Sequence, residues 1–113
     1  MEPYSITLST EVTFHALSHP LRRTVLDLLR TGPMPAGQIA RAFTVSRAAV
    51  SKHLRQLQRA QLVRVTRKGR HRFYQLDIKP LAEAGRWLES CRSSSDAPME
   101  LKTGEGSGDL VFL

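Results

Sequence analysis

The chain has 113 residues, 17 Lys and Arg against 10 Asp and Glu, and a net charge of +7; with 41% hydrophobic residues it can close one small core. Composition excludes global disorder, the single cysteine excludes an intrachain disulfide or a four-ligand zinc knot of thiolates, and the first ten residues lack a basic segment leading into an apolar one. A cytoplasmic, membrane-free protein is expected.

In chain order, Val12, Phe14, Ala16 and Leu17 give a short apolar pattern that Ser18, His19 and Pro20 interrupt. Pro20 suits the first position of a second helix, whose Leu21, Val25, Leu28 and Leu29 recur at helical spacing until Gly32-Pro33 stops it. Pro35 opens a short third helix with Ile39 and Ala40 inward, ending near Phe43. After Thr44 and Val45, Ser46 is the expected N-cap of a fourth helix with a buried stripe of Val50, Leu54 and Leu57. Beyond Leu62 the period falls from 3.6 to 2, and Gly69-Arg70 suits a two-residue type II′ turn that pairs Val65 with Tyr74 and Val63 with Leu76. Pro80 begins a last amphipathic helix in which Leu81, Ala84, Leu88 and Cys91 share a face beside Trp87. The expected fold is mainly α with a small β-hairpin: four helices, two strands and a fifth helix within residues 1–92. Residues 93–113 are expected to form a disordered acidic tail containing Gly and Ser.

The charge is concentrated. Arg41, Arg47, Lys52, Arg55, Arg59, Arg64, Arg67, Lys68, Arg70 and Arg72 fall in one stretch without a single Asp or Glu, while the rest of the chain is net −3. A solvated surface mixes signs, because like charges raise the self-energy of a compact state, so this block calls for a polyanion. It lacks the bulky apolar face of a membrane-surface helix, which leaves nucleic acid.

Two helices joined by three or four residues, the second one basic, form a helix-turn-helix, which lays its second helix in the DNA major groove. At 100° per residue from Val50, the side chains of Ala48, Ser51, Lys52, Arg55 and Arg59 point outward, with Arg47 on the shoulder. Arg47 and Lys52 can donate to guanine, Ser51 to a base edge or a phosphate, and the Ala48 methyl can meet a thymine methyl. Arg55 and Arg59 suit phosphates. Arg67, Lys68, Arg70 and Arg72 charge the hairpin tip, a wing placed to straddle phosphates or enter the minor groove. His53, about 60° from the buried stripe, suits a packed, hydrogen-bonded support. Asp27, four residues after Arg23, is its expected ion-pair partner. No catalytic triad, carboxylate pair or phosphate-cradling glycine loop is present, so no enzyme is expected.

The runs His15-Ala16-Leu17-Ser18-His19-Pro20-Leu21-Arg22-Arg23, Gln38-Ile39-Ala40, Ser46-Arg47-Ala48-Ala49-Val50-Ser51-Lys52-His53-Leu54, Gly69-Arg70 and Tyr74-Gln75-Leu76 together resemble the ArsR/SmtB family of bacterial winged helix-turn-helix repressors. The resemblance covers about residues 10 to 92. It implies a nucleoid-associated homodimeric repressor that binds an imperfect palindrome in double-stranded DNA through positions matching Arg47, Ala48, Ser51 and Lys52. It also implies a dimer interface on the first and last helices, which here carry Val12, Leu17, Leu81, Ala84, Leu88 and Cys91. Metal-sensing members carry Cys-Val-Cys where this chain has Pro35-Ala36-Gly37, or Asp and His ligands on the last helix, which has no His between Leu81 and Arg92. The chain is closer to the metal-independent members: no metal or cofactor is expected, and any effector is a small molecule or a partner protein. Thr44 stands where the family often has Gly. The alternative reading is a non-specific, nucleoid-type basic protein, for which charge alone suffices.

Overall fold

The computed structural model describes residues 8–96. Their order is α1 (Leu8–Ala16), α2 (Pro20–Leu29), β1 (Met34–Pro35), α3 (Ala36–Arg41), α4 (Arg47–Arg59), β2 (Val63–Lys68), β3 (His71–Leu76) and α5 (Lys79–Asp96). This is the mainly α, winged helix-turn-helix arrangement expected, with one added strand. β1 pairs antiparallel with β3 (Met34 opposite Tyr74, Pro35 opposite Phe73), giving the sheet order β1-β3-β2. Pro35 therefore caps α3 from an extended conformation (φ −70°, ψ 150°) rather than opening it. It lacks an N–H to donate, which suits an edge strand.

The wing register is as expected: Val63 faces Leu76, Val65 faces Tyr74, and Lys68 faces His71 across the turn. Gly69 has φ +62° and Arg70 is not left-handed, as a type II′ turn requires of its two central residues. Gly32, at φ +135°, similarly ends the α2 turn in a conformation that an L side chain adopts only under strain.

The core gathers Ala16, Val25, Leu26, Leu29, Ile39, Val50, Leu54, Leu57, Leu62, Val63 and Tyr74 between the helices and the sheet. α1 departs from the expected pattern, for its buried residues are Thr10, Thr13 and Ala16, one line at i, i+3 and i+6, while Val12 is exposed. Burial of Thr13 is tolerated because its hydroxyl donates to the Ser9 carbonyl at 3.0 Å.

α5 departs too. Leu81 is half-buried and Ala84 buried, but Leu88 and Cys91 are exposed rather than inward. Trp87 takes the packing position, edge-on to Phe14 of α1 with ring centroids 5.6 Å apart. The covered line of α5 runs through Leu81, Ala84 and Trp87, at i, i+3 and i+6, and leaves Leu88 and Cys91 outside it. α5 also runs four residues past the expected boundary at Arg92, and the rest of the expected acidic tail, residues 97–113, lies outside the described residues.

Candidate nucleic-acid interface

α4 begins at a built cap. The Ser46 side chain accepts the Ala49 N–H at 3.1 Å, with Ser46 extended at φ −67° and ψ 156°. No residue of the segment joining α3 to α4 takes positive φ, so Thr44 meets no conformational demand there. Val50, Leu54 and Leu57 are buried and fix the rotation of the helix about its axis. Arg47, Ala48, Ser51, Lys52, Arg55 and Arg59 are consequently exposed.

The helix is also anchored from behind. Arg22 of α2 is 6% exposed. Its Nε donates to the Ala16 carbonyl at 2.7 Å, one terminal nitrogen to the His15 carbonyl at 3.3 Å and the other to His53 Nδ1 at 3.1 Å. Ala16 and His15 end α1, where carbonyls lack intrahelical partners and the helix dipole favours a cation. One guanidinium fork thus ties three helices together. His53 accepts, so its Nδ1 is unprotonated and its ring proton sits on Nε2. Burial, followed by the nearby charges of His19, Arg22 and Lys52, holds its pKa below the ordinary 6.5. The His19 ring lies 4.2 Å from that of His53, and His19 Nδ1 accepts the Leu21 N–H at 3.0 Å, capping α2.

Arg23 does not pair with Asp27, as its spacing suggested. It donates to the Leu17 carbonyl at 2.8 Å, and Asp27 lies 3.7 Å from Arg30 instead. The exposed carbonyls after α1 offer a closer acceptor for a planar donor than a carboxylate one turn along α2.

The wing adds a second basic surface. Arg67 and Arg72 sit directly opposite each other across the two strands, Lys68 opposes His71, and Arg70 occupies the turn; all five are exposed. Alternation assigns Arg67 and Arg72 to one face, while Lys68, His71 and Phe73 share the other. There the Lys68 ammonium lies 6.0 Å from the centre of the Phe73 ring, and the His71 ring meets Phe73 edge-on at 6.3 Å.

Among the described residues, the ion pairs are Arg30–Asp27, Arg64–Asp77 and Arg92–Glu89. Of the ten cations between Arg41 and Arg72, only Arg64 therefore has a carboxylate among the described residues, at 3.6 Å. Arg41, which the sequence reading left out of the site, belongs with it: its guanidinium and that of Arg47 lie 3.9 and 3.7 Å from where a Cβ on Gly37 would stand. Arg41 lies on α3, outside the α4 stripe on which the angular reading rests. No group of three or more His, Cys, Asp or Glu among the described residues could hold a metal ion.

Comparison with known proteins agrees with this geometry. A model of a helix-turn-helix domain family matches residues 17–66. The chain is 40% identical over 75 residues to the transcriptional repressor SdpR of Bacillus subtilis, spanning 66% of this chain and 83% of that protein. It is 42% identical over 74 residues to the HTH-type transcriptional regulator Rv2034 of Mycobacterium tuberculosis, spanning 66% and 69%. An ArsR-like transcriptional regulator from Rhodococcus sp. RHA1 superposes with a TM-score of 0.75 at 30% identity, covering 81% of this chain and 84% of that one. The chain belongs to the ArsR/SmtB family. As an ArsR/SmtB protein it is a DNA-binding transcriptional regulator, and this family consists of regulators rather than enzymes. No helix among the described residues is long and apolar enough to cross a membrane.

Proposed function

We propose that this ArsR/SmtB protein is a homodimeric repressor that binds an imperfect palindrome in a promoter. In this reading the first turns of α4 read bases through Arg47, Ala48, Ser51 and Lys52. Arg55 meets phosphate, and Arg67, Lys68, Arg70 and Arg72 carry the wing across the backbone or into the minor groove. The observation that carries it is the combination on α4: a rigidly seated helix whose outward face sets small Ala48 and Ser51 among cations that have no carboxylate partner among the described residues. A binder that uses charge alone has no need of small residues where a helix must approach base edges closely. Arg67 facing Arg72 supports the wing's part, because directly opposed like charges weaken a strand pair unless an anion lies between or beside them.

Repression is favoured by the likeness to a transcriptional repressor at 40% identity. Self-association is favoured by the apolar residues on the paired terminal helices: Leu8 is 79%, Val12 40% and Leu88 52% exposed. Of the residues expected at the interface, Val12, Leu88 and Cys91 are exposed, Leu17 and Leu81 half-buried, and Ala84 already covered within the chain. Two copies related by a two-fold axis would present two α4 helices to half-sites about 34 Å apart.

The test is a footprint on the protein's own promoter with random-sequence DNA as competitor. Protection of one palindrome that survives a large excess of random DNA is the expected result. Displacement by random DNA at equal efficiency would assign the chain to the non-specific, nucleoid-type class instead.

A further inference from the structure

Arg41 stands in the last turn of α3, where the helix dipole draws a cation toward the end carbonyls. Its side chain goes the other way. A long helical side chain leans over the turn before its own, and the Arg41 guanidinium follows that direction to lie over Gly37 in the first turn. Arg47, the first residue of α4, reaches the same spot from across the turn that joins the two helices. One terminal nitrogen of each lies within 4 Å of the point where a Gly37 side chain would begin, Arg47 at 3.7 Å and Arg41 at 3.9 Å. Both arginines are exposed, and neither has a carboxylate partner among the described residues.

Two guanidinium groups this close raise each other's energy unless an anion joins them. A phosphodiester group has two free oxygens and so offers one to each arginine, in charge-assisted hydrogen bonds of about 2.7 to 2.9 Å. Gly37 keeps the approach open. Its φ is not positive, so the backbone makes no demand for glycine, and a helical position generally favours alanine. A Cβ there would stand in contact with both guanidinium groups and fill the gap between them.

We propose that Arg41 and Arg47 clamp one phosphate of the DNA backbone over Gly37. This rests on the reading of α4 as the DNA-recognition helix, and it adds α3, the helix that crosses the backbone in a helix-turn-helix, to the interface. A guanidinium carries five N–H groups, so the Arg47 nitrogen above Gly37 serves the phosphate while others remain for a base. One phosphate held from both helices fixes the register in which α4 meets the groove.

The test measures affinity for a random-sequence duplex three helical turns long, across a series of salt concentrations. A phosphate contact reads no sequence, so a palindrome left unprotected in the footprint would sink the repressor reading without touching this result. Arg41→Gln removes the charge from an exposed side chain and should weaken binding several-fold at low salt. The double variant Arg41→Gln, Arg47→Gln should lower the salt slope by about one unit, the mark of one phosphate lost. Gly37→Ala should also weaken binding, with no fall in melting temperature, which separates a filled gap from a damaged fold. A drop of about two units in the double variant would put the arginines on different phosphates and overturn the clamp, as would unchanged affinity in Arg41→Gln or Gly37→Ala. Inorganic phosphate, titrated while the Gly37 amide signal is followed by NMR, separates the sources: no saturation is expected at millimolar concentration. Saturation there, with duplex binding unaltered in Arg41→Gln, would make this a small-anion site instead.

Discussion

Arg22 and His53 show how much of this molecule rests on single side chains. Arg22 is an arginine at the start of α2, where the helix dipole disfavours a cation, and it is nonetheless buried because α1 ends against it with the Ala16 carbonyl accepting its Nε, while the His15 carbonyl accepts the Ser18 N–H and hydroxyl as well. Replacing it with methionine keeps the volume, strands the Ala16 carbonyl and removes the donor to His53, so Arg22→Met should destabilise the fold by about 1 to 3 kcal/mol in a denaturant titration. Lysine should not rescue it, since one ammonium cannot span three acceptors arranged for a planar fork. His53 adds a pH dependence of definite sign. Its folded-state pKa is lowered, so the unfolded chain binds the proton more readily, and the contribution of a neutral His53 is complete above pH 6.5 and lost as pH falls through the folded value. Unfolding midpoints measured from pH 8 down to pH 5 should hold steady and then drop, and His53→Gln should flatten the drop. The supporting role of His53 was legible from its angle on the helix. Its partner was not, because Arg22 lies 31 residues away and nothing local signals the pairing. Arg23 and Asp27 show the opposite failure: correct spacing for an ion pair, overridden by a nearer carbonyl.

At the scale of elements, periodicity told most of the story wherever a run was long enough to have a period. α2 and α4 emerge from apolar spacing bounded by proline, glycine and serine, the hairpin register from the Gly69-Arg70 turn with the alternation around it, and the outward face of α4 from its buried stripe. β1 escaped because two residues, one of them proline, carry no period. The end of α4 escaped for a chemical reason. Gln61, at φ +61°, occupies the left-handed position just past the cap, and the Leu62 N–H reaches the Leu57 carbonyl while Gln61 N–H reaches Gln58, both at 3.0 Å. This is a Schellman ending, normally announced by glycine. Gln61→Gly should therefore stabilise the protein by about 0.5 to 1 kcal/mol, raising the melting temperature by a few degrees. The two basic elements should fail differently when altered. Lys52→Ala on α4 should cost about 1 to 3 kcal/mol on the cognate site and relax the preference at one base pair. Arg70→Ala on the wing should weaken binding to all sequences alike and reduce the salt slope by about one unit, as read from affinities across a series of salt concentrations.

For the whole molecule, the terminal helices show what a single chain leaves unfinished. Sequence spacing placed Leu88 and Cys91 on an inward face because a helical wheel does not say which of several apolar positions a neighbour covers. Leu81, Ala84 and Trp87 take the covered line of α5, and Leu88 and Cys91 are left in the open. Val12 on α1 is exposed as well, since Thr10, Thr13 and Ala16 take the buried line instead. A surface of this kind, on elements that otherwise pack tightly through Phe14 and Trp87, is what a two-fold partner would cover. Leu88→Asp tests it with little risk to the monomer fold, because the side chain is already 52% exposed and an aspartate there remains solvated. Sedimentation should report a dimer for the parent chain and a monomer for the variant at micromolar concentration. Circular dichroism should be unchanged. Loss of the dimer should also reduce affinity for a full palindrome far more than for a single half-site, because the second α4 no longer arrives tethered to the first. If Leu88→Asp stays dimeric, the partner surface lies elsewhere; if both proteins are monomers that still protect a palindrome, the two-fold model of recognition fails.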